Sequence, residues 1–279
     1  MSEIRIDPLS GYRSIVADGA DGASLLGPEA VEPPASAIPD LFWAGAARGA
    51  QEAIEPVGGP VASLADLEPE LMAQTVEFWR ERMRAHKGTP CLHLTVDEDD
   101  GGSRALLYAL DFVPAAIARE RERFGAYATR TMGGNLLGDL VQQEVRLRER
   151  LVAVDREAVL LAAYAPRAPY QMMVVPRTPR MRFEDDGPTG AAILQQAIGR
   201  LARLLGPRPP LSLWVRTAPR GADHFCWRID IVPRLEGPRG LELGTGLGVA
   251  APPPETAAAH LRDAAAHQPP DVAANLRDG

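Results

Sequence analysis

The chain has 279 residues, 46% hydrophobic and 24% charged, enough to bury one large core or two modest ones. A formal net charge of -7, with arginines dispersed among acidic residues and not gathered in a stripe, argues against nucleic acid as a partner. There is no run of about 18 apolar residues, and MSEIRIDPLSG lacks the apolar centre of a secretory signal, so a cytoplasmic protein without a membrane partner is expected.

Residues 2–16 read as a strand, a turn at DPLSG and a second strand within YRSIVA. Residues 17–48 are rich in Gly, Ala and Pro, show no period, and read as a long loop. EAIEP supplies a short strand. Leu64 opens a helical stretch through Leu71, Val76, Trp79 and Met83, with Ser63 or Asp66 as cap and Glu68 and Glu70 near its positive end. Two helices follow Pro114, one in AAIARERERFGAY and one, past the break at Gly133 and Gly134, in LLGDLVQQEVRLRERL. Alternation and β-branching predict strands over 159–163 and 172–175, then a helix over about 190–205. A proline-led start at 252–255 opens a last helix through Leu261, and the final ten or so residues read as frayed. Strands, helix and strands again in each half predict mixed α/β layers.

Two stretches look like copies of one hairpin. The first runs from Pro90 through LHLTV and ALLYALDFVP to Pro114; the second runs from Pro210 through LSLWV and CWRIDIVPR to Pro233. Asp111 and Asp230 each stand three residues before the closing proline, about 120 residues apart. The spacing predicts two related halves, 1–134 and 135–279.

Individual side chains then sort by face. His93 alternates with Leu92 and Leu94, so it points away from those leucines, and Cys91 shares its face. Cys91 and Cys226 are expected as buried thiols, with no disulfide framework. His224 and Cys226 share a face if the two-residue spacing holds, which leaves a metal site as an alternative, although a closed zinc site needs four ligands. His86, His260 and His267 are expected to be solvated. No C-x-x-C, H-E-x-x-H, phosphate-loop or dinucleotide fingerprint is present. Arg104 and Arg228 occupy corresponding polar edges of the two hairpins, and Arg216 and Arg220 flank the second excursion; together they offer forked donors to an anion. Asp111 and Asp230 are expected to orient neighbours or cap turns, and Trp214 and Trp227 to form core or cleft wall.

In their shared order, RIDPLSG, GAQEAIE with LADLEPE, YALDFVPAAIARE, PYQMMVVPR, WRIDIVPRLEGPRGLELGTG and PPPETAAAHLR resemble galactose-1-phosphate uridylyltransferases, a family of the histidine-triad-like superfamily. The resemblance spans residues 5–262. It implies an α+β fold of two pseudo-symmetric histidine-triad-like halves, each a mostly antiparallel sheet with packing helices, and a homodimer. It also implies uridylyl transfer between sugar phosphates through a histidine in an H-P-H-x-Q motif. Aligned on LYAL, this sequence has Gly102, Ser103 and Arg104 in place of H-P-H and Leu106 in place of the glutamine. An arginine has no acceptor lone pair, so Arg104 cannot carry the covalent intermediate. Residues 135–138, NLLG, stand where many members have C-L-L-C; Gly59 stands near a ligand position, and Cys226 and Arg228 replace histidines. No cofactor is therefore expected and zinc least of all, with His224 and Cys226 as the remaining metal alternative.

The resemblance thus implies a protein that binds a nucleotide-like or phosphorylated small molecule without uridylyl transfer through histidine. Arg104 and Arg228 would lie at phosphate oxygens, Trp227 would act as wall, and Glu242 would meet a polar group of the ligand. One alternative is a transfer or hydrolysis that avoids a covalent histidine, with His224 or Asp230 as base. The other is a non-catalytic scaffold that pairs with a protein of its pathway.

Overall fold

A computed structural model describes residues 2–6, 13–17, 43–46, 48–185 and 190–266. The DPLSG turn, most of the 17–48 segment, His267 and the tail lie outside the described residues. Strands β1 (Ser2–Ile6), β2 (Arg13–Ala17) and β3 (Trp43–Ala46) form a small antiparallel sheet in the order β2-β1-β3. The strand at 43–46 had no signal in the sequence.

The main sheet has eight strands. They are β4 (Gly49–Ile54), β5 (Cys91–Asp99), β6 (Gly102–Leu110), β7 (Leu151–Val154), β8 (Ala158–Ala162), β9 (Met172–Pro176), β10 (Leu211–Arg216) and β11 (Arg228–Pro233). Their order is β4-β6-β5-β10-β11-β9-β8-β7, with every neighbouring pair antiparallel. The two hairpins predicted from sequence are β5-β6 and β10-β11, and they meet along β5 and β10. Thr95 and Trp214 hold equivalent places in LHLTV and LSLWV and are register partners; Leu94 pairs with Val215, and Val96 with Leu213. A local two-fold axis therefore passes between Thr95 and Trp214. Register also makes Arg104, opposite Asp97, the counterpart of Arg228, opposite Arg216. The matched aspartates are not counterparts: Asp111 lies exposed past the end of β6, whereas Asp230 is buried within β11.

Among the described residues there are six α-helices: α1 (Pro69–Ala85), α2 (Ala115–Arg130), α3 (Leu136–Leu147), α4 (Ala191–Leu205), α5 (Gly240–Thr245) and α6 (Pro254–Ala266). Leu64 does not open α1. It begins a 3-10 turn, Leu64–Asp66, in which the Ser63 hydroxyl accepts from the Ala65 N–H at 3.2 Å. The ring of Pro69 keeps Glu68 extended and starts the helix one residue later.

Alternation along the strands divides the sheet into two faces. Leu94, Leu107, Leu213 and Ile229 point to one face, where Trp79 of α1, Ile193 and Leu201 of α4 and Leu261 of α6 close the main core. On the opposite face, Phe124 of α2 and Leu137 and Val141 of α3 cover Val159, Leu161 and Val175. No helix among the described residues is long and apolar enough to cross a membrane.

Candidate functional site

The two-residue period of β10 and β11 puts Trp214, Arg216, Arg228 and Asp230 on the face away from the main core. Between these side chains, α2, α3 and the loop joining β8 to β9 lies a cavity of about 1000 Å³, large enough for a nucleotide sugar. In α2, Glu120, Arg123 and Phe124 are three and four residues apart and so share the helical face that lines it. Asn135 fixes the start of α3: its Oδ1 accepts from the Gly138 N–H at 2.9 Å, and its Nδ2 donates to the His224 carbonyl at 3.1 Å. Tyr164 and Arg167 reach the rim from the β8-β9 loop, whose shape is held by the Arg167 N–H donating to Gln171 Oε1 at 2.8 Å. The Arg150 guanidinium lies 4.9 Å from the centre of the Tyr164 ring, and Glu144 and Glu255 anchor it at 2.7 and 2.6 Å.

Charge in the cavity is opposite to that of the whole chain. Five arginines line it (123, 130, 167, 216 and 228) against two carboxylates, Glu120 and Asp230, a local balance of +3 on a chain of -7. On the floor, Arg228 Nε donates to Asp230 Oδ2 at 3.0 Å, Arg228 Nη1 donates to Glu120, and Arg216 Nε lies 3.3 Å from Glu120 Oε2. Burial lowers the Arg216 pKa, and the Arg228 charge adds to that effect against the pull of Glu120 and Asp230. For Arg228, burial is outweighed by Asp230 and Glu120, and the net shift is upward. The cluster thus binds its protons firmly at Arg228 while Arg216 is the less well compensated cation. At the mouth, Arg123, Arg130 and Arg167 are exposed and make no ion pair with the described residues. The apolar wall comes from Phe124, Leu136, Leu140, Met173 and the Trp214 ring.

The four ligand-binding residues expected from sequence do not converge. Arg228 lines the cavity, but Arg104 pairs with Asp99 at 2.6 Å at the far end of the ladder and is 63% exposed. Arg104 stands opposite Asp97, whereas Arg216 lies level with His93, four residues along β5 or about 13 Å. Trp227 is not a cleft wall. It precedes Arg228, faces the main core and packs edge-on against Phe183 at 5.1 Å, and Trp214 takes the wall position. Glu242 closes its own helix: its Oε2 accepts from the Arg239 N–H at 2.8 Å and its Oε1 from the Val249 N–H at 3.2 Å, which lowers its pKa.

The paired face expected for His224 and Cys226 is absent as well. Both precede β11; His224 is exposed, and Cys226 is buried beside Phe225, its thiol pushed up to about 11 by burial. Among the described residues, no group of three or more His, Cys, Asp and Glu side chains is placed to hold a metal ion. Asp230, named as a possible base, is tied to Arg228. His86 is not fully solvated, lying 3.6 Å from Glu52.

Gly102 occupies the first position of the aligned H-P-H motif. Its φ is +97°, and a Cβ there would lie 2.8 Å from the Val61 carbonyl oxygen, which accepts from the Ser103 N–H at 2.9 Å. Any side chain at 102 requires the 61–62 segment to move. Glu120, Arg123, Arg130 and Arg167 were not singled out from the sequence. A helical projection of AAIARERERFGAY aligns Glu120, Arg123 and Phe124, but nothing local shows that this face meets Arg216 and Arg228.

No protein-family model matches the chain. A galactose-1-phosphate uridylyltransferase of Haemophilus influenzae is 23% identical over 169 residues, covering 56% of this chain and 48% of the relative, so the match spans about half of that protein's length. A solved uridylyltransferase superposes with a TM-score of 0.82 at 20% identity, covering 94% of this chain and 98% of the other. A uridylyltransferase mutant also gives a TM-score of 0.82, at 19% identity, with coverages of 94% and 97%. An ADP-glucose phosphorylase from Arabidopsis thaliana, solved with bound ADP-glucose, gives 0.68 at 19% identity, covering 77% of this chain and 72% of the other. Along nearly its whole length, the chain therefore has the fold of the uridylyltransferases, and in sequence it is similar to galactose-1-phosphate uridylyltransferase.

Proposed function

We propose that the chain binds a nucleotide-like or phosphorylated small molecule in the cavity between α2, α3 and the sheet, without carrying a nucleotidyl group on histidine. One observation supports this most: three arginines without ion pairs among the described residues surround the mouth of a cavity that has an apolar wall and a net charge of +3. Exposed guanidinium groups lose little hydration before they meet a phosphate, and their forked donors match its oxygens. The Trp214 and Tyr164 rings offer flat surfaces to a base or sugar. Further support is that none of the described cavity-lining residues is a histidine. The ADP-glucose held by the Arabidopsis protein of similar fold makes nucleotide sugars the first probes to try.

Isothermal titration calorimetry with UDP-glucose, ADP-glucose and glucose 1-phosphate tests the proposal. Saturable binding is expected, and Arg123→Ala combined with Arg167→Ala weakens it by roughly tenfold or more. No heat with any of the three, from a folded protein, contradicts the proposal and favours an interaction scaffold.

A further inference from the structure

We propose that Arg216 and Arg228 form a second anion subsite on the floor of the cavity, masked in the free protein by the Glu120 carboxylate, which an incoming phosphoryl group displaces. The inference rests on ligand binding in this cavity and adds where a second anionic group goes.

The two carboxylates on the floor have different attachments. Asp230 follows Arg228 by two residues on the same strand and cannot leave it. Glu120 arrives from α2 and bridges both arginines, with Oε1 on Arg228 and Oε2 on Arg216. Without it, two guanidinium groups face one carboxylate, an excess of +1 in a partly enclosed space where an isolated charge is costly. A phosphoryl group offers the same pair of oxygens at greater negative charge, so it suits the place that Glu120 holds. Both anions cannot stay, because two negative groups at one pair of guanidiniums repel each other.

The geometry also gives Glu120 a way out. α2 buries only Ile117, Phe124 and Ala128. Its other described ties lie at the surface: Arg121 Nη1 donates to the Arg220 carbonyl at 2.8 Å, and the Tyr127 hydroxyl donates to Asp139 at 2.8 Å. The helix starts after Pro114 and ends in a turn where Gly133, at φ +105°, donates its N–H to the Ala128 carbonyl. The ligand class is therefore one with two anionic groups, such as a diphosphate, one group at the rim arginines and the other on the floor.

The test uses inorganic pyrophosphate as the probe, with calorimetry of the wild-type protein and Glu120→Gln, and hydrogen exchange of the wild-type protein with and without the probe. Glutamine keeps the shape and removes the charge. Glu120→Gln should bind pyrophosphate at least tenfold more tightly than wild type, and in the wild-type protein saturating probe should speed exchange across 115–130. Wild-type binding that is unchanged or weaker in Glu120→Gln, or slower exchange across α2 on binding, overturns the masked subsite and leaves ligand binding in the cavity standing. No binding of pyrophosphate by either protein overturns the subsite, and only the absence of heat with the nucleotide sugars as well removes the proposed function.

Discussion

His93 lies on β5 with Leu92 and Leu94 turned into the main core behind it, as alternation predicts. Burial, and then the positive charge of Arg216, hold its imidazole down to about 4, so the ring is neutral at physiological pH. In the unfolded chain a histidine titrates near 6.5. Between these values the unfolded state binds a proton that the folded state refuses, so stability is greatest above about pH 6.5 and falls as pH drops toward 4. The loss is on the order of 3 kcal/mol. Urea unfolding of wild type and His93→Gln at pH 7, 6 and 5 should show a shallower decline in the variant; parallel declines contradict the assignment. Gly102→Ala should cost roughly 1–3 kcal/mol and lower the melting temperature, since φ +97° and the Val61 carbonyl both oppose a Cβ. If it melts like wild type, the close approach at Val61 is wrong.

Among the elements, α2 decides the shape of the site. The Phe124 ring stacks on Phe225 at 4.7 Å and is the largest apolar anchor of that helix. Phe124→Ala should cost about 3 kcal/mol in urea unfolding and expose α2 to hydrogen exchange well before α4, whose buried face carries Ile193, Leu194, Ile198 and Leu201. Equal loss of protection in α2 and α4 would argue against separate anchoring. At this scale the sequence was largely readable. Alternation located β5, β6, β10 and β11, and α2, α3, α4 and α6 followed from their apolar periods and from Pro and Gly at their ends. The misreadings have local causes. Pro69 delayed α1, and α5 is a six-residue helix closed by the Arg239 and Glu242 cap, too short to show a period. Trp227 continues the alternation of Ile229 and Ile231 into the main core and so is no wall, and His224 fails to share a face with Cys226 because it lies in the loop before β11.

At the scale of the whole molecule, the repeated hairpins make one continuous sheet, and the motif order anticipated both the fold and its internal symmetry. The site was less legible, because symmetry says nothing about which half carries a cavity. The first hairpin closes through the two-residue turn of Asp100 and Gly101, whereas the second keeps an eleven-residue excursion, 217–227, between β10 and β11. Only long-range folding brings Glu120 from α2 and Arg167 from the β8-β9 loop to Arg216 and Arg228. The matched motifs placed Arg104 and Arg228 together by analogy, and the sheet separates them. The decisive measurement is a crystal structure of the protein soaked with ADP-glucose or UDP-glucose. Phosphate oxygens are expected within hydrogen-bonding distance of Arg123, Arg130 or Arg167, with the base or sugar against Trp214 or Tyr164. Density for the ligand beside Arg104 on the β5-β6 hairpin, with the cavity empty, would contradict that placement.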